Sequence, residues 1–391
     1  MVRLGIIGIG NMGRGHIEHI LRGEITKDLK LTAVCDIRKD RLDWIDGKGL
    51  DDVQKFSNAE DMYKSDLVDL VLIAVPHYDH PPLAKLAFKY GLNVITEKPA
   101  GVYTKQVREM NEAAKESGKL FGIMYNQRTN PVYKKVRELI KKGELGEVKR
   151  AIWIITNWYR PQAYHDSSEW RSTWATEGGG VLINQCPHQL DLWQWILGMP
   201  KKIRSFVGFG KYHNIEVEDD VTAYMEYENG ATGLFVTSTG EAPGTNRLEI
   251  SGDRGKIIVE NDVLTFYRNV VSERVFEKEN KVPFGIPECW KCEVPTPGEN
   301  SQHVGILNNV ADVLEHGGEL IAPGEEGILG LTISNAIHLS AWTNDFVELD
   351  KMDEDLFYNM LQEKIKNSTY KKVVHEAMAA DITKTHGGAS L

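Results

Sequence analysis

The first thirteen residues constrain the fold of this chain more than any other segment. An apolar run leads directly into three glycines with the spacing G-x-G-x-x-G: Gly8, Gly10 and Gly13. Gly8 permits a tight turn out of a strand, Gly10 lets backbone N–H groups approach a pyrophosphate, and Gly13 permits close packing of the following helix. The positive end of that helix, with Asn11 and Met12, would hold the phosphates. The segment therefore predicts a dinucleotide-binding turn within a βαβ unit.

A carboxylate follows the second apolar segment, where a ribose-binding acid is expected. Leu29 to Cys35 reads as a strand, and Asp36 comes directly after it. A carboxylate there accepts hydrogen bonds from ribose hydroxyls and repels a 2′-phosphate, which favours NAD over NADP. Arg38 leaves NADP open, because its guanidinium could pair with a 2′-phosphate. The alternative for Asp36 is a cap on the next helix.

Composition narrows the class of protein. A chain of 391 residues suggests two domains, and 41% hydrophobic with 26% charged residues is typical of a soluble globular protein. No run of about 18 apolar residues exists, so we expect no membrane span, and the N-terminus lacks signal-peptide features, so we expect a cytoplasmic protein. A net charge of −10 without a basic tract argues against nucleic-acid binding.

The cysteines do not predict a metal site. Cys289 and Cys292 have the spacing of half a zinc site, but His303 downstream has no partner at a suitable distance along the chain. Four prolines around this pair indicate a loop, whereas a redox motif opens a helix. We therefore expect no metal and no disulfide framework.

The pattern of predicted secondary structure changes near residue 125. Up to about residue 125, apolar strands alternate with helical segments, which predicts a doubly wound parallel sheet of the Rossmann type. From there to about residue 275, strand follows strand, with a hairpin turn at Asn229-Gly230. The predicted fold class is α/β plus α+β: a Rossmann domain over 1–125 and an open antiparallel sheet domain over 126–391. Residues 353–380 are predicted to form a helical tail with Leu356, Met360, Val373 and Val374 as apolar positions.

Four segments together carry a resemblance to a known family. They are the glycine turn, the sequence from Ala74 to Pro76, the sequence Glu97-Lys98-Pro99, and the glycine-led segment from Gly178 to Leu192. With these segments the whole chain resembles the Gfo/Idh/MocA family of sugar and cyclitol oxidoreductases. The resemblance implies an NAD-dependent dehydrogenase, and it implies that Ala74, Pro76, Glu97 and Asn126 lie near the cofactor.

The resemblance also implies two catalytic residues. Lys98 occupies the family's lysine position, where an ammonium would stabilise a forming alkoxide. His188 occupies the histidine position, and an imidazole suits proton transfer near neutral pH. The family's aspartate position holds Asn184, which cannot accept a proton and can only orient a neighbour through its amide. The alternative to these catalytic roles is that the lysine is a solvent-exposed loop residue and that the histidine is a core residue whose hydrogen bonds are made within the protein.

Aromatic and hydrogen-bonding side chains between residues 125 and 190 suit a carbohydrate, since rings stack on sugar faces and polar groups bind hydroxyls. The expected substrate-binding set is Lys98, Arg128, Tyr159, His165, Trp170, Asn184 and His188. Several segments are similar to glycoside 3-dehydrogenases and levoglucosan dehydrogenase. That similarity implies oxidation of a ring secondary hydroxyl, at C3 of a glucose unit, in a sugar, glycoside or cyclitol.

Two other functional classes stay open at this stage. One is a glycosidase that uses bound NAD transiently, for which a retained cofactor and no net NADH would be diagnostic. The other is a non-catalytic sensor, which the presence of both Lys98 and His188 disfavours. We also expect a homodimer or homotetramer, because an open sheet of this length leaves an apolar face to cover.

Overall fold

The computed structural model describes residues 1–374, which form two compact units. The first unit contains residues 1–129 and 300–331. The second contains residues 130–299 and the described residues after 331. The sequence predicts a boundary at residue 125 with everything after it in the second domain, so the segment 300–331 differs from that expectation.

The α-helices within the described residues are short to medium in length and occur in both units. In chain order they are α1 (Asn11–Leu21), α2 (Lys39–Asp43), α3 (Ala59–Lys64), α4 (His80–Lys89), α5 (Thr104–Ser117), α6 (Pro131–Lys141), α7 (Gln162–His165), α8 (Pro187–Leu197), α9 (Glu273–Glu279), α10 (Gln302–His316), α11 (Gly327–Thr343) and α12 (Glu354–Lys366). Four 3-10 turns accompany them: His77–Asp79, Asn126–Thr129, Gly324–Glu326 and Leu349–Lys351.

A six-stranded parallel sheet forms the core of the first unit, which confirms the Rossmann prediction. Its spatial order is β3-β2-β1-β4-β5-β6. The central strands are nearly continuous apolar runs because helices cover both faces of such a sheet. The strands are β1 (Val2–Ile7), β2 (Leu29–Cys35), β3 (Gln54–Phe56), β4 (Leu70–Ile73), β5 (Asn93–Thr96) and β6 (Phe121–Ile123).

A nine-stranded sheet forms the second unit, and it is antiparallel except at one pair. The strands are β7 (Val148–Ile155), β8 (Lys202–Phe209), β9 (Glu218–Glu226), β10 (Thr232–Ser238), β11 (Asn246–Gly252), β12 (Gly255–Glu260), β13 (Val263–Asn269), β14 (Cys289–Glu293) and β15 (Val347–Glu348). Their order is β14-β13-β12-β11-β7-β10-β9-β8-β15, in which β7 and β10 run parallel. Parallel neighbours need a long crossover, and here it carries α7, α8 and the glycine-led segment.

Backbone and side-chain hydrogen bonds attach the segment 300–331 to the first unit. Asn308 Oδ1 accepts from the N–H of Thr26 at 2.8 Å, and the carbonyl of Ala322 accepts from Ile123 N–H at 3.1 Å. Pro323 also forms an isolated bridge to Gly122 in edge strand β6. These partners lie far apart along the chain, so no local pattern in the sequence announces them.

Two local predictions differ from the structure. Helix α12 ends at Lys366, so Val373 and Val374 do not belong to it, and residues 375–380 of the predicted helical tail lie outside the described residues. Cys289 and Cys292 lie on strand β14 rather than in a loop, because β14 pairs with β13 at the sheet edge. Among residues 1–374, no helix is long and apolar enough to cross a membrane.

Candidate active site

The glycine turn after β1 has the geometry that its spacing predicts. Gly8 has φ +91°, and a Cβ there would lie 2.3 Å from the carbonyl oxygen of Ala74. A Cβ at Gly13 would lie 1.9 Å from the carbonyl oxygen of Gly8, whereas one at Gly10 would meet nothing nearer than 3.8 Å. Helix α1 begins at Asn11 without a side-chain cap. The turn therefore leaves open space and helix N–H groups beside Gly10 for an anionic group.

Asp36 is buried beside this turn. Its carboxylate accepts hydrogen bonds from the backbone N–H of Ile9 at 2.7 Å and of Arg38 at 2.9 Å. The guanidinium of Arg38 instead binds Asp40 at 2.7 Å, and Arg41 lies 3.4 Å from the Asp36 carboxylate. A carboxylate in this position suits the binding of ribose hydroxyls. Arg41 is a second cation near the carboxylate, and the sequence analysis did not single it out.

The residue before Lys98 is held by a buried pair. Glu97 Oε1 lies 2.6 Å from His16 Nε2 on α1, and both side chains are buried. Burial alone would raise the pKa of Glu97, but the hydrogen bond and charge of His16, with His303 and Lys98 nearby, lower it to about 2. Glu97 is therefore ionised at neutral pH, at the base of the turn that carries Lys98.

His80 links the two loops that follow β4 and β5. Its Nε2 lies 2.8 Å from the carbonyl oxygen of Val75, and its Nδ1 lies 2.7 Å from that of Pro99. Val75 stands between Ala74 and Pro76, and Pro99 follows Lys98 in the chain. Both neighbours are carbonyl acceptors and burial lowers the pKa of His80, so the neutral imidazole donates to one carbonyl and only contacts the other. The ring lies between the two loops at the carboxyl edge of the sheet, which is where ligands of such sheets bind.

Asn126 provides a test of whether the first unit fits a nicotinamide cofactor. Its Nδ2 donates to Gln302 Oε1 at 2.7 Å, while its Oδ1 is buried and has no hydrogen-bond partner within the described part of the chain. A buried acceptor without a partner is costly and suits the N–H of a carboxamide. Together with the open space at Gly10 and the carboxylate of Asp36, this acceptor shows that the residues of the first unit fit a nicotinamide dinucleotide.

Arg128 is buried in the first unit. Its guanidinium is buried and pairs with Glu326 at 2.6 Å, and it also donates to the carbonyl of Ile321 at 3.3 Å. A buried cation committed to a carboxylate stabilises the attachment of the 300–331 segment. The predicted role of Arg128 in binding substrate stays a prediction.

In the second unit, Glu218 at the start of β9 positions the glycine-led segment. A Cβ at Gly180 would lie 2.0 Å from the carbonyl oxygen of Glu218, so only glycine permits this approach. The Glu218 carbonyl accepts from Val181 N–H at 3.0 Å, and its carboxylate accepts from Leu182 N–H at 3.0 Å. His338 Nε2 lies 2.9 Å from the other carboxylate oxygen. The segment that leads to Asn184 and His188 is thereby fixed to the sheet.

A polar cluster surrounds Asn184. The amide Nδ2 of Asn184 donates to Glu177 Oε1 and, at 3.3 Å, to the hydroxyl oxygen of Tyr164. The same hydroxyl oxygen accepts from Arg171 at 2.6 Å and from Gln185 at 3.0 Å. Glu177 is buried, and burial raises its pKa to about 7 although Arg171 and its two hydrogen-bond donors act in the opposite direction.

His165 adjoins this cluster, and His188 lies in the first turn of α8. His165 is buried, its Nδ1 lies 2.8 Å from Ser172 Oγ, and its ring packs 4.6 Å from that of His213. Burial, reinforced by the neighbouring charge of His213, lowers the pKa of His165 to about 3. His165 is therefore a neutral hydrogen-bonding group rather than a base. His188 is also buried.

Of the predicted aromatic residues, Trp170 is half-buried and Tyr159 is exposed. The Arg171 guanidinium lies over the rings of both Trp170 and Tyr164, at 4.6 and 4.4 Å from their centroids. Within the second unit the structure therefore brings His165, Trp170 and Asn184 around Tyr164, and it leaves Tyr159 at the surface.

The sequence analysis did not single out five residues at these sites: His16, Arg41, His80, Glu177 and Gln302. Glu177 directly precedes the three glycines, and a carboxylate before such a segment was the one signal that could have drawn attention to it. His16, His80 and Gln302 each contact a partner that lies 19 or more residues away along the chain, whereas the partner of Arg41 is Asp36, only 5 residues away.

Comparison with family models assigns both parts of the chain. Residues 2–125 match the model described as "Oxidoreductase family, NAD-binding Rossmann fold", and residues 133–258 match the one described as "GFO/IDH/MocA C-terminal domain". The N-terminal part is accordingly an NAD-binding Rossmann domain, as the glycine turn and Asp36 predict.

Relatives and solved structures agree with this assignment. The chain is 28% identical over 202 residues to the uncharacterized oxidoreductase YdgJ of Escherichia coli, covering 51% of this chain and 54% of that protein. It is 23% identical over 357 residues to 1,5-anhydro-D-fructose reductase of Ensifer adhaerens, covering 90% and 99%.

Two solved structures share the fold. One is the WlbA dehydrogenase of Bordetella pertussis in complex with NADH and UDP-GlcNAcA, with a TM-score of 0.74, 24% identity, and coverage of 90% of this chain and 99% of that one. The other is levoglucosan dehydrogenase in complex with NADH, with a TM-score of 0.74, 17% identity, and coverage of 90% and 100%.

The environment of Asp36 predicts a preference for NAD over NADP. Asp36→Ser removes the charge that repels a 2′-phosphate, so the ratio of NADP to NAD affinity should rise about tenfold or more in calorimetric titrations. Arg38→Ala is the matched control, and it should leave the ratio nearly unchanged because Asp40 holds the guanidinium. Tighter binding of NADP than NAD by the unaltered protein would contradict this reading.

Proposed function

The chain belongs to the Gfo/Idh/MocA oxidoreductase family, and we propose that it oxidises a ring secondary hydroxyl of a sugar, glycoside or cyclitol. The position we propose is C3 of a glucose unit. The observation that carries the proposal is the polar cluster around Tyr164, Asn184 and Arg171, which is flanked by Trp170. Convergent hydrogen-bonding groups beside aromatic faces suit a carbohydrate, whose hydroxyls and apolar ring faces need both.

The relatives support this substrate class without identifying the substrate. A relative of the chain is named 1,5-anhydro-D-fructose reductase, another is named myo-inositol 2-dehydrogenase, and a structure with the same fold is a levoglucosan dehydrogenase. All three names describe oxidation or reduction at a carbon of a sugar or cyclitol. Bound NAD supplies the hydride acceptor for such a reaction.

The proposal gives Lys98 and His188 different roles at the reacting hydroxyl. The ammonium of Lys98 would stabilise negative charge that develops on the hydroxyl oxygen as its carbon loses hydride. The imidazole of His188 would take the hydroxyl proton. His165 is not proposed as the base, because its lowered pKa of about 3 makes it a poor proton acceptor at neutral pH.

Substitution of His188 tests the proton-transfer role. His188→Ala should lower kcat by about two to four orders of magnitude, because a general base is lost, and should leave NAD affinity nearly unchanged. The measurement follows the formation of NADH on a panel of monosaccharides, cyclitols and glycosides. Near-normal turnover of His188→Ala on a substrate of the unaltered protein would refute the assignment.

Lys98→Ala should impair turnover just as severely, but with an additional loss of cofactor or substrate affinity. The reason is that Lys98 adjoins Glu97 in the turn that we place beside the nicotinamide. Steady-state kinetics together with NAD titration separates the two effects. A Lys98→Ala variant that keeps full kcat would show that charge stabilisation at the hydroxyl comes from another group.

We also propose that the protein is a homodimer or homotetramer formed through the outer face of the second sheet. Strand register places Leu234 of β10 beside Tyr224 of β9 and Ile152 of β7, and Phe206 of β8 lies on the same face with 66% of its surface exposed. These neighbours form an apolar band of a kind that is rare on monomers.

A charge in the centre of this band should dissociate the oligomer. Leu234→Lys together with Phe206→Lys is expected to give a monomer in light scattering at micromolar concentration, because an unpaired charge is costly to bury. The control is Phe284→Ser, which changes an exposed aromatic residue outside the sheet and should leave the mass unchanged. A monomeric mass for the unaltered protein would defeat the proposal.

A further inference from the structure

Glu177 is a buried carboxylate with no role in the chemistry proposed so far. One of its oxygens accepts a hydrogen bond from the side-chain amide of Asn184, and the other accepts from the backbone N–H of Ser172. Arg171 lies 3.9 Å from it without direct bidentate pairing. Burying a carboxylate is costly, and apolar residues of similar volume often give a more stable protein at such a position. The location of Glu177 therefore points to a purpose other than stability.

A carboxylate and an amide in contact have only one favourable arrangement. An ionised carboxylate only accepts hydrogen bonds, so the Asn184 amide must turn its NH₂ group toward Glu177. The amide oxygen then lies on the opposite edge of the amide plane. Asn184 is half-buried, so part of the residue is accessible to solvent.

Resting on the function proposed above, we propose that Glu177 is a positioning residue of the substrate site: its carboxylate orients Asn184 so that the amide oxygen is presented to a substrate hydroxyl. Asn184 stands at the position where the family resemblance leads one to expect an aspartate. Glu177 and Asn184 together would present an oxygen acceptor to the substrate, as an aspartate does. The negative charge would lie on the buried Glu177 and not on the residue that contacts the substrate.

The backbone at Ser172 is consistent with a position held for function. Ser172 has φ +65°, in the left-handed region that a serine rarely adopts. This conformation directs its N–H to Glu177, while its hydroxyl lies 2.8 Å from His165 Nδ1. Such strained residues cluster at functional sites, where the surrounding contacts maintain them. Glu177 thus links the orientation of Asn184 to that of His165.

The charged and titratable groups around Glu177 come from several elements. Arg171 lies in the loop before it, and Glu218 lies on β9. Lys372 lies in the segment after α12, and Tyr164 lies within α7. Arg171 favours the ionised form of Glu177, whereas Glu218 and burial oppose it. The pKa of Glu177 is raised to about 7, so the orienting carboxylate forms only as the pH rises through neutrality.

Glu177→Gln tests the proposal because glutamine keeps the shape but carries both a donor and an acceptor. Its NH₂ group would pair with the oxygen of a flipped Asn184, which would then present NH₂ to the substrate. We expect kcat/KM to fall about tenfold to a hundredfold, the cost of one mispaired buried group, with NAD affinity unchanged. The part of the pH profile near 7 that belongs to Glu177 should disappear.

Exchanging the carboxylate and the amide between positions 177 and 184 should restore activity. In the double variant Glu177→Gln with Asn184→Asp, the glutamine NH₂ group donates to the new aspartate, which again presents an oxygen to the substrate. This variant should return kcat/KM to within about fivefold of the unaltered protein. Asn184→Asp alone brings two carboxylates together, so it should lose activity above pH 7 and regain part of it at lower pH. Glu169→Gln, an exposed change in the same loop, is the control.

A stability measurement distinguishes this role from a purely structural one and needs no substrate. Since the pKa of Glu177 is raised from 4.5 to about 7 on folding, the folded protein binds the extra proton between these values and loses stability as the pH rises through them. Glu177→Gln removes this loss, so its Tm at pH 8 should exceed that of the unaltered protein by on the order of 3 °C or more. Near pH 4.5 the two should coincide.

The outcomes separate the two proposals. Kinetics are measured on the best substrate among glucose, myo-inositol, levoglucosan and methyl β-D-glucoside, by formation of NADH. If the unaltered protein oxidises none of them, the proposed function fails, and Glu177 is judged by the melting curves alone. The positioning role is overturned if Glu177→Gln melts lower at pH 8, if it retains full kcat/KM, or if the double variant is no more active than Glu177→Gln.

Discussion

The buried pair of Glu97 and His16 is the interaction on which the cofactor side of this protein depends. It joins the helix that follows the glycine turn to the loop that carries Lys98, across 2.6 Å. Removing one member of such a pair leaves an uncompensated buried charge, which costs about 3–5 kcal/mol. One hydrogen bond therefore links the helix after the glycine turn to the loop that carries Lys98. The buried ring of His80 lies between the loops after β4 and β5 and contacts both.

Glu218 has the corresponding role in the second unit. Its backbone and carboxylate both receive hydrogen bonds from the glycine-led segment, and the missing side chain at Gly180 is what lets that segment approach so closely. The cluster of Glu177, Asn184 and Tyr164 is built on this attachment. In both units, then, a buried carboxylate positions a segment, and the residues proposed to meet the substrate are carried by that segment.

The sequence predicts those features that local geometry determines. Gly8 and Gly13 must be glycines because the backbone leaves no space for a Cβ, and Asp36 follows a strand, so both could be identified without a structure. Glu97 and His16 are 81 residues apart, and α10 joins the first unit through contacts such as Asn308 with Thr26, for which no periodicity exists. Arg128 pairs with Glu326, 198 residues further along the chain, and no local pattern in the sequence predicts that contact either.

In the reaction that we propose, hydride passes from a ring carbon bearing a hydroxyl to bound NAD. The direct measurement incubates the protein with NAD and methyl β-D-glucoside, levoglucosan or myo-inositol deuterated at the ring carbons, and locates the label by NMR. We expect deuterium at C4 of the reduced nicotinamide and a keto sugar in equal amount, with C3 as the source for a glucose unit. A cofactor that stays oxidised and unlabelled with every compound would contradict the claim.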